Sequence, residues 1–359
     1  MPIRRLLLPL LLAAMVAHVS VRAQQPVTAP GGDIVNQFST YLDSLRVQTG
    51  IPGLSAVITG SESVLWERAY GYQSLERLAP MRPDTPLHVD GLTEVLASTL
   101  VLRCVEAGQL TLDDQIAIFS PESPDAGATL RQVLSHTSGT GETLTFAYRP
   151  ERLIPLGAAL EACRGVTYRE TFARLLDGLS MADSVPGVDA VLLTPQENAF
   201  PTEPTILRYA STLLRLSSSY AVDAKRRATL AQHPVTTLST ASGLIATARD
   251  VAQFDRAVRT GLLLQPETLL DAWTAPLTPS GRRLPHGLGW FVQVYNGETV
   301  VWQFGVSDST SSLLISVPGR GISLALLANS QGLVRPFPLA AGDVLASPFA
   351  KLFLGYFVR

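Results

Sequence analysis

The chain has 359 residues, of which 46% are hydrophobic and 16% are charged, and its formal net charge is −2 at pH 7. This composition is ample for a folded core, and the length allows one large domain or two. A net charge so close to zero gives no reason to expect a nucleic acid or an anionic membrane as a partner.

The first residues are typical of a secretory signal peptide, which we expect over residues 1–23. Arg4 and Arg5 precede an apolar run over residues 6–17, and a cleavage site with small residues follows. The alternative is a membrane anchor, but the run is short and Pro9 interrupts it. We therefore expect export to the periplasm or the extracellular space, with the Sec and twin-arginine routes both open.

The predicted elements change in type along the chain. A linker over residues 24–32 leads to a helix over 33–50, and strands over 54–58 and 64–72 form a hairpin. Helices are predicted over residues 91–107, 130–135, 153–162, 168–176, 209–216 and 248–260, with a long loop over 184–204. Strands are predicted over residues 290–294, 299–304, 311–317 and 322–328, followed by a helix over 349–357.

This order of elements predicts an α/β (α+β) fold, in which an antiparallel sheet flanked by helices is assembled from both ends of the chain. The α/β lobe would comprise residues 33–84 and 240–359, and residues 85–239 would form an inserted all-helical lobe. The dipeptide Asn296-Gly297 is the strongest hairpin signal in the sequence. The groove between the two lobes is the natural place for a ligand.

Cys104 and Cys163 are the only cysteines. An exported protein meets an oxidising compartment, where the two could form a disulfide. Both also fall on apolar helical stretches, where a lone cysteine often serves as a small hydrophobic residue. The sequence leaves this choice open, because it does not show whether the two Cα atoms are close enough.

Several segments resemble one known superfamily. The most specific is Leu134-Ser135-His136-Thr137-Ser138-Gly139, and the others follow in matching order: Ile51-Pro52-Gly53-Leu54, Gly287-Leu288-Gly289-Trp290 and Leu327-Ala328-Asn329-Ser330. The chain resembles the serine β-lactamase and penicillin-binding-protein-like superfamily, nearest to its class C β-lactamase, esterase and D-aminopeptidase branch. The resemblance covers nearly all of the mature chain. It implies a β-lactamase/transpeptidase-like fold and a serine-hydrolase site.

The resemblance implies three catalytic elements, and this sequence departs from each of them. Members use Ser-x-x-Lys, in which the serine attacks an acyl carbonyl and the lysine helps to remove its proton. A Tyr-x-Asn loop and a Lys-x-Gly or His-x-Gly strand complete the site. The corresponding positions here are Gly91 and Glu94, Tyr148 and Pro150, and Gln303 and Gly305. No Ser-x-x-Lys occurs elsewhere, because Val222 and Pro348 stand three residues before the only lysines.

Gly91 has no side chain to acylate, and losing such a nucleophile typically lowers kcat on the order of a millionfold. Two interpretations of Glu94 stay open. The helix macrodipole would stabilise a carboxylate there by about 0.3–1 kcal/mol, with Asp90 as a suitable N-cap of the same helix. Alternatively, Asp90, Glu94 and Tyr148 form an acid–base group in the cleft, with a carboxylate pKa raised by burial.

The remaining motif positions could have either a structural or a functional role. Tyr148 could bind a ligand through its hydroxyl or persist as a packed aromatic ring. Gln303 can form hydrogen bonds but has no charge, so an ordinary strand residue is the favoured interpretation. The backbone N–H groups of Gly91 and Val306 correspond to the oxyanion hole of the family. Such a hole needs only backbone and could still bind an anion or a carbonyl group.

The histidines give no indication of a metal site, because only four lie outside the predicted signal peptide. We expect His136 to be a structural turn residue and His88 to have no chemical role. Trp290 and Trp302 are expected in the core or the cleft wall. We expect neither a metal nor any other cofactor.

We predict a secreted pseudoenzyme that binds a peptide, a cell-wall fragment or a protein partner in the inherited cleft. The binding residues would be Gly91, Glu94, Tyr148, Gln303 and Val306. The alternative is a divergent hydrolase of esters, amides or β-lactams, in which Glu94 or Asp90 activates water without a covalent intermediate. A third hypothesis is a purely structural module, which a collapsed or blocked cleft would favour.

Overall fold

The computed structural model describes residues 32–138, 144–197 and 199–358. The predicted signal peptide and the predicted linker, apart from Gly32, lie outside these ranges. None of the helices within them is long and apolar enough to cross a membrane.

Within the described residues the longer strands lie towards the two ends of the chain, and most of the helices lie in its middle. The helices are α1 (Gly32–Gln48), α2 (Thr93–Glu106), α3 (Leu130–Leu134), α4 (Leu156–Arg164), α5 (Tyr168–Gly178), α6 (Glu203–Leu214), α7 (Ala248–Arg259), α8 (Pro266–Ala272) and α9 (Pro348–Phe357). The strands are β1 (Gly53–Thr59), β2 (Val64–Ser74), β3 (Ala79–Pro80), β4 (Leu87–His88), β5 (Val185–Pro186), β6 (Ser219–Val222), β7 (Ala228–Ala231), β8 (Leu244–Ala246), β9 (Phe291–Tyr295), β10 (Glu298–Val306), β11 (Ser311–Val317) and β12 (Ile322–Ala328).

A seven-stranded antiparallel sheet in the order β3-β2-β1-β12-β11-β10-β9 organises the molecule. Strand β1 lies beside β12, with Leu54 opposite Ala328 and Thr59 opposite Ser323. This pairing confirms the predicted sheet built from both ends of the chain. The predicted hairpin at Asn296-Gly297 is also confirmed, because these residues connect β9 to β10.

Both faces of the sheet are covered, so the central strands are buried along their whole length. In β12, Leu324 and Leu326 pack into a core with Phe38 of α1 and Phe353 of α9. The alternate residue Leu327 joins the opposite core, which contains α2 and α7. This two-residue alternation follows from strand geometry. Trp290 and Trp302, which the sequence predicts in the core or the cleft wall, are both buried in the core.

A smaller three-stranded sheet in the order β4-β8-β5 holds the segment that precedes helix α2, which carries Glu94. His88 pairs with Ile245, and the N–H of Val89 donates to the carbonyl oxygen of Leu244 at 3.1 Å. This pairing fixes the turn that carries Asp90 and Gly91, a 3-10 helix over Asp90–Leu92 that leads directly into α2.

The structure differs from the predicted elements mainly in the middle of the chain. Helix α6 begins at Glu203, inside the predicted loop, because the Thr202 side chain accepts the N–H of Thr205 and caps the helix. Helix α8 and the β6–β7 hairpin were not predicted. Cys104 and Cys163 form a disulfide, which the sequence left open.

Candidate functional site

A cleft of about 470 Å³ opens beside the turn that carries Gly91, and we call it the main cleft. Its lining includes Asp90, Gly91, Tyr148, Pro150, Phe304, Gly305 and Val306. Most of the predicted motif positions are therefore brought together, although they come from distant parts of the chain. Glu94 and Gln303 are not among the lining residues, because both are completely buried beneath the cleft floor.

The backbone of β10 fills the space beside Gly91. A Cβ atom added at position 91 would lie 2.6 Å from the carbonyl oxygen of Phe304 and 3.3 Å from Oε1 of Glu94. Gly305 is equally confined, because its added Cβ would lie 2.3 Å from the carbonyl oxygen of Val89. The turn and the strand therefore approach backbone to backbone, and neither position accepts a side chain without movement.

Glu94 lies in the first turn of α2 and is 0% exposed. The Tyr148 hydroxyl donates to its Oε1 at 2.9 Å, and the Gln303 amide nitrogen donates to its Oε2 at 3.2 Å. Burial raises the pKa of the Glu94 carboxyl well above its usual range, and the hydrogen bond from Tyr148 partly opposes this shift. The predicted position of Glu94 near a helix N-terminus is confirmed. Its carboxyl group also has side-chain hydrogen-bond partners there.

His136 packs against the same carboxyl group, with Nε2 3.4 Å from Oε2 of Glu94. Its backbone is left-handed (φ 53°), as expected of a turn residue. The N–H of Arg149 donates to Nδ1 at 3.2 Å, which places the proton of the neutral ring on Nε2. Burial lowers the pKa of His136 to about 3, so the ring is uncharged near neutral pH. The predicted structural role did not include this contact with Glu94.

Tyr148 combines the two interpretations that the sequence left open. Its ring packs against Phe304 and Phe291, with centroid distances of 5.0 and 5.3 Å, and it also lines the main cleft. Burial and the neighbouring Glu94 raise the pKa of the Tyr148 phenol well above its usual range. The phenol therefore serves as a hydrogen-bond donor and is a poor base.

Gln303 is more than an ordinary strand residue. Its amide nitrogen binds Glu94, and its amide oxygen accepts the N–H of Phe304 at 2.9 Å. Both ends of the side chain are therefore occupied below the cleft floor. Val306, three residues further along β10, is 37% exposed and lines the cleft beside Gly91, where the backbone oxyanion site was expected.

Asp90 does not cap helix α2, and that prediction is wrong. Leu92 occupies the N-cap position and makes no side-chain cap bond. The Asp90 carboxylate instead accepts the hydroxyl of Thr310 at 2.6 Å and lies 2.7 Å from Nε2 of His233. These two partners hold the carboxylate on the cleft wall, away from the backbone N–H groups of α2.

The ring of His233 was missed by the sequence analysis. Its Nε2 lies 2.7 Å from Oδ1 of Asp90 and donates to that carboxylate, whereas its Nδ1 lies 3.2 Å from the backbone nitrogen of Val235 and 3.1 Å from the carbonyl oxygen of the same residue. The ring of His88 stacks on His233 at 3.7 Å. No sequence pattern could have indicated the contact between His233 and Asp90, because 143 residues separate them. Within the described ranges, no three or more His, Cys, Asp or Glu side chains are grouped so as to hold a metal ion.

Comparisons with known proteins agree with this architecture. The family model described as Beta-lactamase matches residues 34–346. The serine beta-lactamase-like protein LACTB, mitochondrial, of Homo sapiens is 26% identical over 105 residues, which cover 27% of this chain and 19% of that protein. Esterase EstB of Burkholderia gladioli is 31% identical over 112 residues, which cover 29% of each chain. The matched segments thus span less than a third of these curated relatives.

Among solved structures, the octameric penicillin-binding protein homologue from Pyrococcus abyssi has a TM-score of 0.68 and 20% identity, covering 89% of this chain and 77% of that chain. This likeness concerns the fold, and it agrees with the predicted β-lactamase/transpeptidase-like class. Because the family model matches most of the sequence, the chain belongs to the beta-lactamase family.

Proposed function

We propose that this protein is a non-acylating member of its family that binds a ligand in the main cleft. The observation that carries the proposal is the filled space beside Gly91, where the carbonyl oxygen of Phe304 lies 2.6 Å from an added Cβ. Position 91 thus has neither a nucleophilic side chain nor room for one. The cleft beside it nevertheless keeps a volume of about 470 Å³, which favours binding over a purely structural role.

The position of Glu94 also supports the loss of acyl transfer. A lysine at this position would supply a base next to the nucleophile, whereas Glu94 is buried and accepts hydrogen bonds from Tyr148 and Gln303. Burial raises the pKa of this carboxyl group, and the two donors supply hydrogen bonds to both of its oxygen atoms. The Glu94 group therefore links Tyr148 to Gln303 beneath the cleft floor.

The shape of the cleft favours an extended ligand. Strand β9 pairs with β10 only as far as Trp302, so residues 303–306 pair with β11 on one side and have no β9 partner on the other. Phe304, Gly305 and Val306 line the cleft in this region. A strand segment beside a cleft suits a peptide that adds along its edge, and apolar side chains such as Ile154 supply side-chain contacts. A cell-wall peptide or another exported peptide fits these features and the predicted signal peptide.

The binding proposal is tested with a fluorescein-labelled peptidoglycan fragment that contains the stem peptide, followed by fluorescence anisotropy. Ile154 lines the cleft and is 53% exposed, so Ile154→Trp narrows the cleft without altering the core. Leu192→Trp is the matched control, since Leu192 is 82% exposed and does not line the cleft. We expect saturable binding that weakens at least about tenfold in Ile154→Trp and is unchanged in the control. Equal binding by both variants would contradict the proposal.

A second candidate function is hydrolysis by activated water, and one observation favours it. Asp90 lines the cleft and is hydrogen-bonded to His233, an arrangement that can orient a general base. Both carboxylate oxygens already accept a hydrogen bond, which weakens this candidate. Turnover of p-nitrophenyl acetate or a D-alanyl-D-alanine peptide that is lost in Asp90→Asn would support it. Turnover unaffected by Asp90→Asn and by Glu94→Gln would remove it.

A further inference from the structure

A second cleft of about 430 Å³ lies among the helices, away from the main cleft, and we call it the arginine cleft. Its lining includes Leu100, Arg103, Arg164, Thr171, Arg174 and Leu175. Three of these side chains are cationic, and none of the described lining residues is acidic. The arginine cleft therefore has a strong positive charge, whereas the whole chain has a net charge of −2.

Two of the three cations have no counter-ion among the described residues. Arg174 pairs with Glu170, but neither Arg103 nor Arg164 forms an ion pair with a carboxylate in the described part of the chain. Burial and then the positive charge of Arg103 lower the pKa of Arg164, so the two guanidinium groups repel each other. Solvent screens this repulsion at the exposed Arg164, but two like charges at one cleft still favour an anion between them.

The disulfide fixes the backbones of these two arginines. Cys104 follows Arg103 near the end of α2, and Cys163 precedes Arg164 at the end of α4. The Cα atoms of the two cysteines are 6.3 Å apart. Because the crosslink joins the neighbouring residues, the helix ends cannot separate to relieve the repulsion.

A polar group without a partner lies in the same cleft. Thr171 is 6% exposed, and its hydroxyl finds no hydrogen-bond partner within residues 32–138, 144–197 and 199–358. Buried hydroxyl groups in proteins are nearly always hydrogen-bonded, so an unpaired one calls for an explanation. An acceptor group in the cleft would supply the missing partner after a small side-chain rotation.

The helix dipole explains part of this arrangement. Arg103 and Arg164 each lie in the last turn of a helix, where a cation is favoured. That effect accounts for each arginine alone. It does not account for their convergence on one cleft or for the unpaired hydroxyl of Thr171.

We propose that the arginine cleft binds the phosphate group of a small phosphate monoester. A tetrahedral dianion matches two unpaired guanidinium charges, and its oxygen atoms can accept forked hydrogen bonds from both groups and a third from Thr171. The cleft is larger than phosphate alone, and Leu100 and Leu175 give an apolar wall for the organic part of the ester. This inference does not rest on the function proposed for the main cleft.

The test is isothermal titration calorimetry of the full-length protein with phenyl phosphate, phenyl sulfate and inorganic phosphate. We expect one saturable site, with phenyl phosphate bound more tightly than inorganic phosphate because of the apolar wall. Phenyl sulfate should bind more weakly, because it carries one negative charge rather than two. The absence of saturable binding of phenyl phosphate at millimolar concentration would overturn the proposal, as would equal binding of the sulfate.

The site is assigned by a matched pair of double variants. Arg103→Gln/Arg164→Gln should weaken phenyl phosphate binding by at least about tenfold. Arg282→Gln/Arg283→Gln removes the same charge from an exposed loop and should bind like the unaltered protein. Thr171→Val should weaken binding several-fold without any change in charge, and melting temperatures check that every variant is folded. Equal affinity of both double variants would contradict the assignment.

Discussion

Substituting Gly91 by serine should destabilise the fold rather than restore a nucleophile. The added Cβ would lie 2.6 Å from the carbonyl oxygen of Phe304, in the backbone of a paired strand. An ordinary contact of about 3.5 Å would require a displacement of roughly 0.9 Å. Gly91 does not have a positive φ, so the cost comes from crowding and not from backbone strain. We expect Gly91→Ser to lower the free energy of unfolding by about 2–3 kcal/mol, measured by urea denaturation.

The matched control is Gly127→Ser, because a Cβ added there meets no atom within 4 Å. This control should change the free energy of unfolding by no more than about 0.5 kcal/mol. The further double variant Gly91→Ser/Glu94→Lys should hydrolyse penicillin poorly, because Pro150 and Gln303 still replace the amide and the cation of the family's site. Equal stability of Gly91→Ser and Gly127→Ser would refute the steric reasoning.

Three further predictions concern buried groups. Burial raises the pKa of Glu94 above its value in the unfolded chain, which is near 4.5. The free energy of unfolding should therefore fall as pH rises above 4.5. Glu94→Gln should gain stability relative to the unaltered protein between about pH 5 and pH 8. His136 has its pKa lowered from 6.5 to about 3, so stability should be lost as pH falls across that interval. His136→Asn, which keeps an acceptor for the N–H of Arg149, should flatten this loss. Reduction of the disulfide between Cys104 and Cys163, which are 59 residues apart in the sequence, should lower the free energy of unfolding by about 4 kcal/mol.

Each of these predictions has a control. Glu122→Gln removes one exposed carboxylate and corrects for the change in net charge. If it reproduced the pH response of Glu94→Gln, burial would not be the cause. An acid-unfolding profile of His136→Asn identical to that of the unaltered protein would contradict a neutral His136. Cys104→Ser/Cys163→Ser should show no response to reductant, and an equal response would assign the effect to something other than the crosslink.

Most of the fold could be predicted because its signals are local. The Asn296-Gly297 turn specifies its hairpin through backbone conformation, and alternating apolar residues specify the faces of β12. The family segments then fixed the order in which these elements assemble. The start of helix α6 was predicted too late in the chain, because its N-cap residue Thr202 lies in a segment rich in proline and polar residues. Such a composition predicts a loop.

The detailed site could not be predicted, because it depends on contacts between distant residues. The sequence placed Gly91, Tyr148 and Val306 at one cleft through their family positions. It gave no indication that His136 packs against Glu94 or that His233 binds Asp90. Tertiary contacts also overrode a local preference at Asp90, whose carboxylate binds Thr310 instead of capping a helix. The crowding at Gly91 is visible only from the position of β10.

The central claim is that the main cleft forms no acyl-enzyme. The most direct measurement is intact-protein mass spectrometry, followed by peptide mapping, after incubation with a fluorescent penicillin and with a fluorophosphonate. We predict an unchanged protein mass at all times of incubation. A penicilloyl or phosphonyl adduct that maps to any residue of the main cleft would contradict the account.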